Sequence, residues 1–324
     1  MNHATLALVL AVALSSNAGA QDPAFANKRV PFEPGFRVFI VPDMEGMGST
    51  VAQWEILAGN EGERYRGRSS TDYWDYYRRL VTQEVNAVIA GARSTGGRSF
   101  VVNEGHGGNL FANILPWELD PVAILIRGFP KPMVMVTGID STFGTMMFTG
   151  AHANAGSKGV MSHNFAFDTL SVNGKILNEI GINALIAGEM GVSVSLVAGD
   201  DVLVEETRRM LDNGFVGVVQ KIAVGPNAAI TFSPQRVQNM LRDSAAEAVR
   251  REQRGDFRPF TLPKPYRVHF KVRASYPEEL LTGMAEVERR YNLQKVAPRS
   301  YDFVTSDARM IGYLLDAIES VVLR

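Results

Sequence analysis

Cysteine is absent from all 324 residues. That excludes thiolate metal sites, cysteine nucleophiles and disulfides together, so any metal must be held by His, Asp or Glu. Net charge is almost absent as well: −1 at neutral pH, with 33 Lys and Arg spread along the chain. There is no basic footprint for nucleic acid. Apolar runs long enough to cross a bilayer are also missing. The run Thr5–Leu14 is too short, and small and polar residues follow it up to Ala18-Gly19-Ala20. This is the pattern of a secretory signal cleaved after Ala20, although its opening carries no Lys or Arg. Residues 1–20 are therefore expected to be a signal peptide and the protein to be exported to the periplasm. If the segment is not a signal, the cytoplasm is the expected location.

With 46% hydrophobic residues, the chain has enough apolar content for a full core. Runs at residues 37–41, 99–102, 123–126, 133–136, 146–148 and 192–197 read as strands. Helical spacing marks 72–92, where Trp74, Tyr77, Leu80, Val81, Val85 and Val88 recur, and again about 178–190. Strands alternating with helices predict an α/β domain over 21–200, its central sheet at least partly parallel and flanked by helices. After about residue 200 the pattern changes to a helix near 234–251, an alternating strand at 266–272 and a final helix near 308–322. Residues 201–324 are expected to form a smaller α+β part.

Four short segments carry candidate chemistry: Asp43-Met44-Glu45-Gly46, Asn103-Glu104-Gly105-His106-Gly107-Gly108, Gly150-Ala151-His152-Ala153 and Met161-Ser162-His163-Asn164. Asp43 and Glu45 leave the first strand two residues apart, so on an extended chain they point to one side. Two such carboxylates repel unless a cation lies between them. Singly, a D-x-E or a loop histidine is commonplace. Together, each beyond a predicted strand end where α/β sheets bind ligands, they make a metal site an even match for the bland reading. His3 and His269 are given no role.

In this order the segments resemble the M55 metallopeptidases, whose best-known members are D-aminopeptidases. The family's S-x-D-x-E-G appears as Val41-Pro42-Asp43-Met44-Glu45-Gly46, with Val41 for the serine. Its N-D-S-H-G appears as Asn103-Glu104-Gly105-His106-Gly107, its G-Y-H-A as Gly150-Ala151-His152-Ala153, and its A-H-T as Ser162-His163-Asn164. Its G-E-x-G-x-N-A helix matches residues 178–184. The resemblance implies two zinc ions per subunit, ligated by Asp43, Glu45, His106, His152 and Glu179, with His163 acting in catalysis. Asp43 is expected to bridge the ions. Glu104, an aspartate in the family, is expected to orient a metal-binding imidazole without touching the metal itself.

The expected activity is two-zinc hydrolysis of the N-terminal peptide bond of short peptides, with D-residues at the amino end as one option. A homo-oligomer, decameric by resemblance, is expected, with the aromatic helix one candidate contact surface. Alternatives are another metal-dependent amidase and a non-catalytic exported metal- or solute-binding protein. A dinucleotide-binding oxidoreductase is disfavoured: Gly46-Met47-Gly48 follows a strand, but Val51 holds the third glycine position.

Overall fold

The structure, a computed structural model, describes residues 32–57, 71–212 and 214–322. The expected signal segment lies outside them. Seven strands build the main sheet in the order β3 (Ala123–Ile126), β2 (Gly97–Asn103), β1 (Phe36–Pro42), β4 (Thr145–Ala151), β7 (Ser193–Asp200), β8 (Val216–Gly225), β9 (Ala228–Thr231). All neighbouring pairs are parallel except β8 with β9.

The inner strands are continuous apolar runs because both faces are covered. Along β1, Val38 and Ile40 pack with α1 (Thr71–Ser94), as do Phe100 and Val102 of β2. Phe39 and Val41 face the opposite core, which contains α2 (Glu179–Glu189). α3 (Asp201–Leu211) follows β7, and α4 (Pro234–Gln253) packs against α1. The order in which strands are added reverses about the β1–β4 pair, since β2 and β3 lie on one side and β7 and β8 on the other. Such a switch point opens a crevice beyond the strands' carboxyl ends. Asp43, His106 and His152 all emerge there.

A second, antiparallel sheet has the order β11 (Gln294–Ala297), β12 (Ser300–Thr305), β10 (Tyr266–Val272), β5 (Phe167–Val172), β6 (Lys175–Ile176). α5 (Met284–Tyr291) and α6 (Arg309–Val322) complete this end of the chain.

Two expectations need correction. The run 133–136 is not a strand: Met133 and Val134 adopt φ of 61° and 47°, and Val134–Val136 form a 3-10 turn. A left-handed backbone cannot join a ladder, and the apolar run reflects burial alone. The division near residue 200 does not separate the sheets either. β8 and β9 extend the large sheet beyond it, and β5 and β6 reach the small sheet from before it. Strand pairing across more than ninety residues, as in β10 with β5, leaves no mark on local sequence.

Candidate metal centre

The loop after β1 packs against the last residues of β4. The amide of Asp43 donates to Thr149 O at 2.8 Å and that of Gly46 to Gly150 O at 2.6 Å. Neither glycine has room for a side chain. A Cβ on Gly46 would overlap the Ala151 carbonyl, and Gly150, at φ +68°, lies against the Asp43 carbonyl. These close approaches explain the glycines of both motifs. They also remove the dinucleotide reading, because Gly46 packs on backbone and lines no phosphate cradle.

Six side chains meet in the crevice, alternating imidazole and carboxylate around a closed ring. His106 Nδ1 lies 3.0 Å from Glu45 Oε2 and 3.4 Å from Asp43 Oδ1. The other Asp43 oxygen is 3.5 Å from His152 Nε2, which is 3.6 Å from Glu179 Oε2. His163 Nε2 closes the ring at 3.9 Å from Glu45 Oε1 and 4.0 Å from Glu179 Oε1. Each carboxylate thus turns its two oxygens to two different rings. Asp43, Glu45 and His106 form one ligand-sized cluster and His152, His163 and Glu179 another, the atoms of each within 4.8 Å of one another. All are buried except His163, whose side chain is 28% exposed.

The outer nitrogens fix what the inner ones present. His106 Nε2 donates to Ile56 O at 2.8 Å, His152 Nδ1 to Ala153 O at 3.0 Å and His163 Nδ1 to Met161 O at 2.9 Å. Carbonyl oxygens only accept, so these nitrogens carry the protons. Every inner nitrogen of a neutral ring is then a bare lone pair facing carboxylate oxygens, a repulsive arrangement until a cation fills the gap. Three imidazoles held by backbone carbonyls, with three carboxylates and no thiolate, form a donor set that fits zinc.

Taking the protein's own charges alone, burial and then Glu45 push the Asp43 carboxyl up to about 7. Burial opposes the charged form of Glu45, yet the His106 charge outweighs it and holds that carboxyl well below its usual range. Burial likewise disfavours charge on the rings, but Glu45 lifts His106 well above its ordinary value. Glu179 lifts His152 to about 10. His163 moves the other way, to about 4, through burial and the His152 ring stacked on it at 3.8 Å. A metal entering near neutrality must therefore displace protons from His106 and His152. Zinc affinity is expected to rise about tenfold per pH unit for each proton displaced between roughly pH 6 and 8. Competition with a chromophoric chelator at three pH values measures this; a flat profile would mean the rings are already neutral.

Glu104 departs from expectation. Its carboxylate accepts from the Asn113 amide and faces Arg127, not the His106 ring. It reaches His106 only through Asn113, whose Nδ2 donates to His106 O at 2.7 Å. The ring's outer nitrogen is taken by Ile56 O, on a short helical turn (Gln53–Ile56) fixed by Tyr77 Oη donating to Glu55 at 2.8 Å. Two of the supporting residues gave no sequence signal. Lys221, fully buried on β8, donates to Glu45 O and Thr50 O and so holds the first loop. Glu84 of α1 accepts from Gln220 at 2.7 Å, and Gln220 in turn accepts from the Gly150 amide at 2.9 Å.

Known proteins resemble the chain in both sequence and fold. The pattern of the Peptidase M55 family, described as D-aminopeptidase, matches residues 36–306. A D-aminopeptidase of Bacillus subtilis (strain 168) is 34% identical over 229 residues, covering 70% of this chain and 78% of that protein. The solved Zn-dependent D-aminopeptidase DppA from Bacillus subtilis, described as a self-compartmentalizing protease, superposes with a TM-score of 0.75. That match is 26% identical and covers 89% of this chain and 98% of the other.

Proposed function

From its place in the Peptidase M55, D-aminopeptidase family, to which this chain belongs, we propose that it is a zinc aminopeptidase removing the first residue of short peptides, with two zinc ions per subunit. The closed ring of three imidazoles and three carboxylates carries this reading, because Asp43 offers one oxygen to each cluster. Asp43, Glu45 and His106 would hold one ion, and Asp43, His152 and Glu179 the other. Bound zinc would supply Lewis acidity and lower the pKa of a bound water to about 7.

The chain's own groups do the rest. His163 is neutral at pH 7, its Nδ1 proton held by Met161 O. Nε2 is then free to accept the proton of an attacking water and to return it to the departing amine. It is the one member of the ring with an open side, which suits a group that meets substrate. His163→Ala is expected to keep both zinc ions while kcat falls by about 10²–10⁴, read by metal analysis beside kinetics. Loss of one zinc equivalent would make His163 a ligand instead.

Kinship with D-aminopeptidases supports substrates with a D-residue at the amino end. The relative described as a self-compartmentalizing protease supports a homo-oligomer that encloses its sites. The signal-like segment ending at Ala20 supports export to the periplasm. No helix among the described residues is long and apolar enough to cross a membrane. The deciding experiment measures zinc content together with turnover of matched L- and D-amino-acid amides and dipeptides. Two zinc ions and D-selective cleavage are expected; zinc bound without cleavage of any peptide would leave a metal-binding protein that is not a peptidase.

A further inference from the structure

Each member of the second cluster has an asparagine close by in sequence. Asn154 lies two residues after His152, Asn164 follows His163, and Asn178 precedes Glu179. Their side chains are engaged with one another and with backbone. Asn164 Nδ2 donates to Asn154 Oδ1 and to Leu177 O, both at 2.8 Å. Asn178 caps α2, its Oδ1 accepting from the Gly181 amide at 2.9 Å.

Both limbs of this network end on one carboxylate. Glu206, in the middle of α3, accepts from the Asn154 amide at 3.1 Å and from Asn178 Nδ2 at 2.8 Å. Its other oxygen accepts from Ser157 Oγ at 2.5 Å. The first cluster rests on a different support, Lys221, which donates to Glu45 O and Thr50 O.

The geometry points to Glu206 as a positioning residue for one half of the metal centre. It sets His152, His163 and Glu179 relative to one another and leaves Asp43, Glu45 and His106 alone. Asn164 is the residue that replaces the family's threonine, and its bond to Asn154 brings the His163 loop into the same network. This inference rests on the two-zinc reading. Losing an outer support of this kind weakens metal binding by about 10–100-fold.

The test is zinc content per subunit of the full chain, equilibrated across a series of buffered free-zinc concentrations. Wild type is expected to hold two equivalents. In Glu206→Ala one equivalent should require about 10–100-fold more free zinc, while the other binds as in wild type. Glu206→Gln should restore near-wild-type binding, because its oxygen still accepts from both amides and its nitrogen donates to Ser157 Oγ. Equal weakening of both equivalents in Glu206→Ala, or of neither, overturns the assignment. If Glu206→Ala yields no folded protein, Asn178→Ser keeps a capping oxygen for the helix that starts at Glu179 but loses the donor to Glu206, and unchanged zinc binding there is equally fatal. A wild type holding fewer than two equivalents would overturn the two-zinc reading itself.

Discussion

Asp43→Asn is expected to lower turnover by at least about a thousandfold, a barrier increase of roughly 4 kcal/mol, and to strip zinc from the protein. The substitution preserves shape. Asparagine Oδ1 can still accept from the Met44 amide, as Asp43 does at 2.8 Å, so the loop has no reason to rearrange. The new amide group lies where Asp43 Oδ2 stood, 3.5 Å from His152 Nε2. Once the ring has lost its second proton, as metal binding requires, that nitrogen carries its lone pair, because Nδ1 is committed to Ala153 O. The amide would donate to it and occupy the position a cation needs. One charge is lost from a site built on three carboxylates, and the oxygen pair that Asp43 divides between His106 and His152 is broken. Metal analysis and kinetics should move together, while the melting temperature stays near that of zinc-stripped wild type. Full zinc content in this variant would remove Asp43 from the centre.

Gly46→Ala should act through the fold, destabilising by about 3 kcal/mol or more, above the usual cost of one added methyl group. The methyl carbon would overlap the Ala151 carbonyl oxygen. This neighbour is backbone in a fully buried strand, so no rotamer change relieves it. β4 is paired on both sides, in unbroken register with β1 and again with β7, where Ala151 lies opposite Gly199. For a chain of this size the melting temperature should drop by roughly 5 °C or more. Any shift of Ala151 also carries His152 away from Asp43, so zinc affinity should fall in whatever protein does fold. Thermal denaturation with and without zinc separates the two effects. A wild-type melting curve would show that the loops part more easily than their 2.6 Å hydrogen bond suggests.

Much of the fold was legible locally. Strands β1, β2, β3, β4 and β7 and helices α1, α2, α4 and α6 fall where apolar periodicity put them. Burial on both faces makes inner parallel strands continuous apolar runs, and that signal needs no partner to be seen. β8 was not seen, because its burial alternates until Gln220 and Lys221 interrupt it with two consecutive buried polar residues. The 133–136 run misled for the converse reason, being apolar through burial without being extended.

The chemical inventory was fixed in the chain itself. Without cysteine, and with acids and histidines placed at strand ends beside glycines, only an oxygen–nitrogen metal site was available, and the motif order named its family. Glu179 came from that likeness alone, since a single Glu opening a helix looks like any solvated face. Tertiary structure decided how these groups share their atoms: which oxygen of Asp43 serves which ring, which nitrogen of each imidazole points inward, and that Lys221 and Glu206 hold opposite halves. Those choices depend on distances between segments up to 176 residues apart. Sequence spacing carries no record of such distances; only the packed sheet sets them.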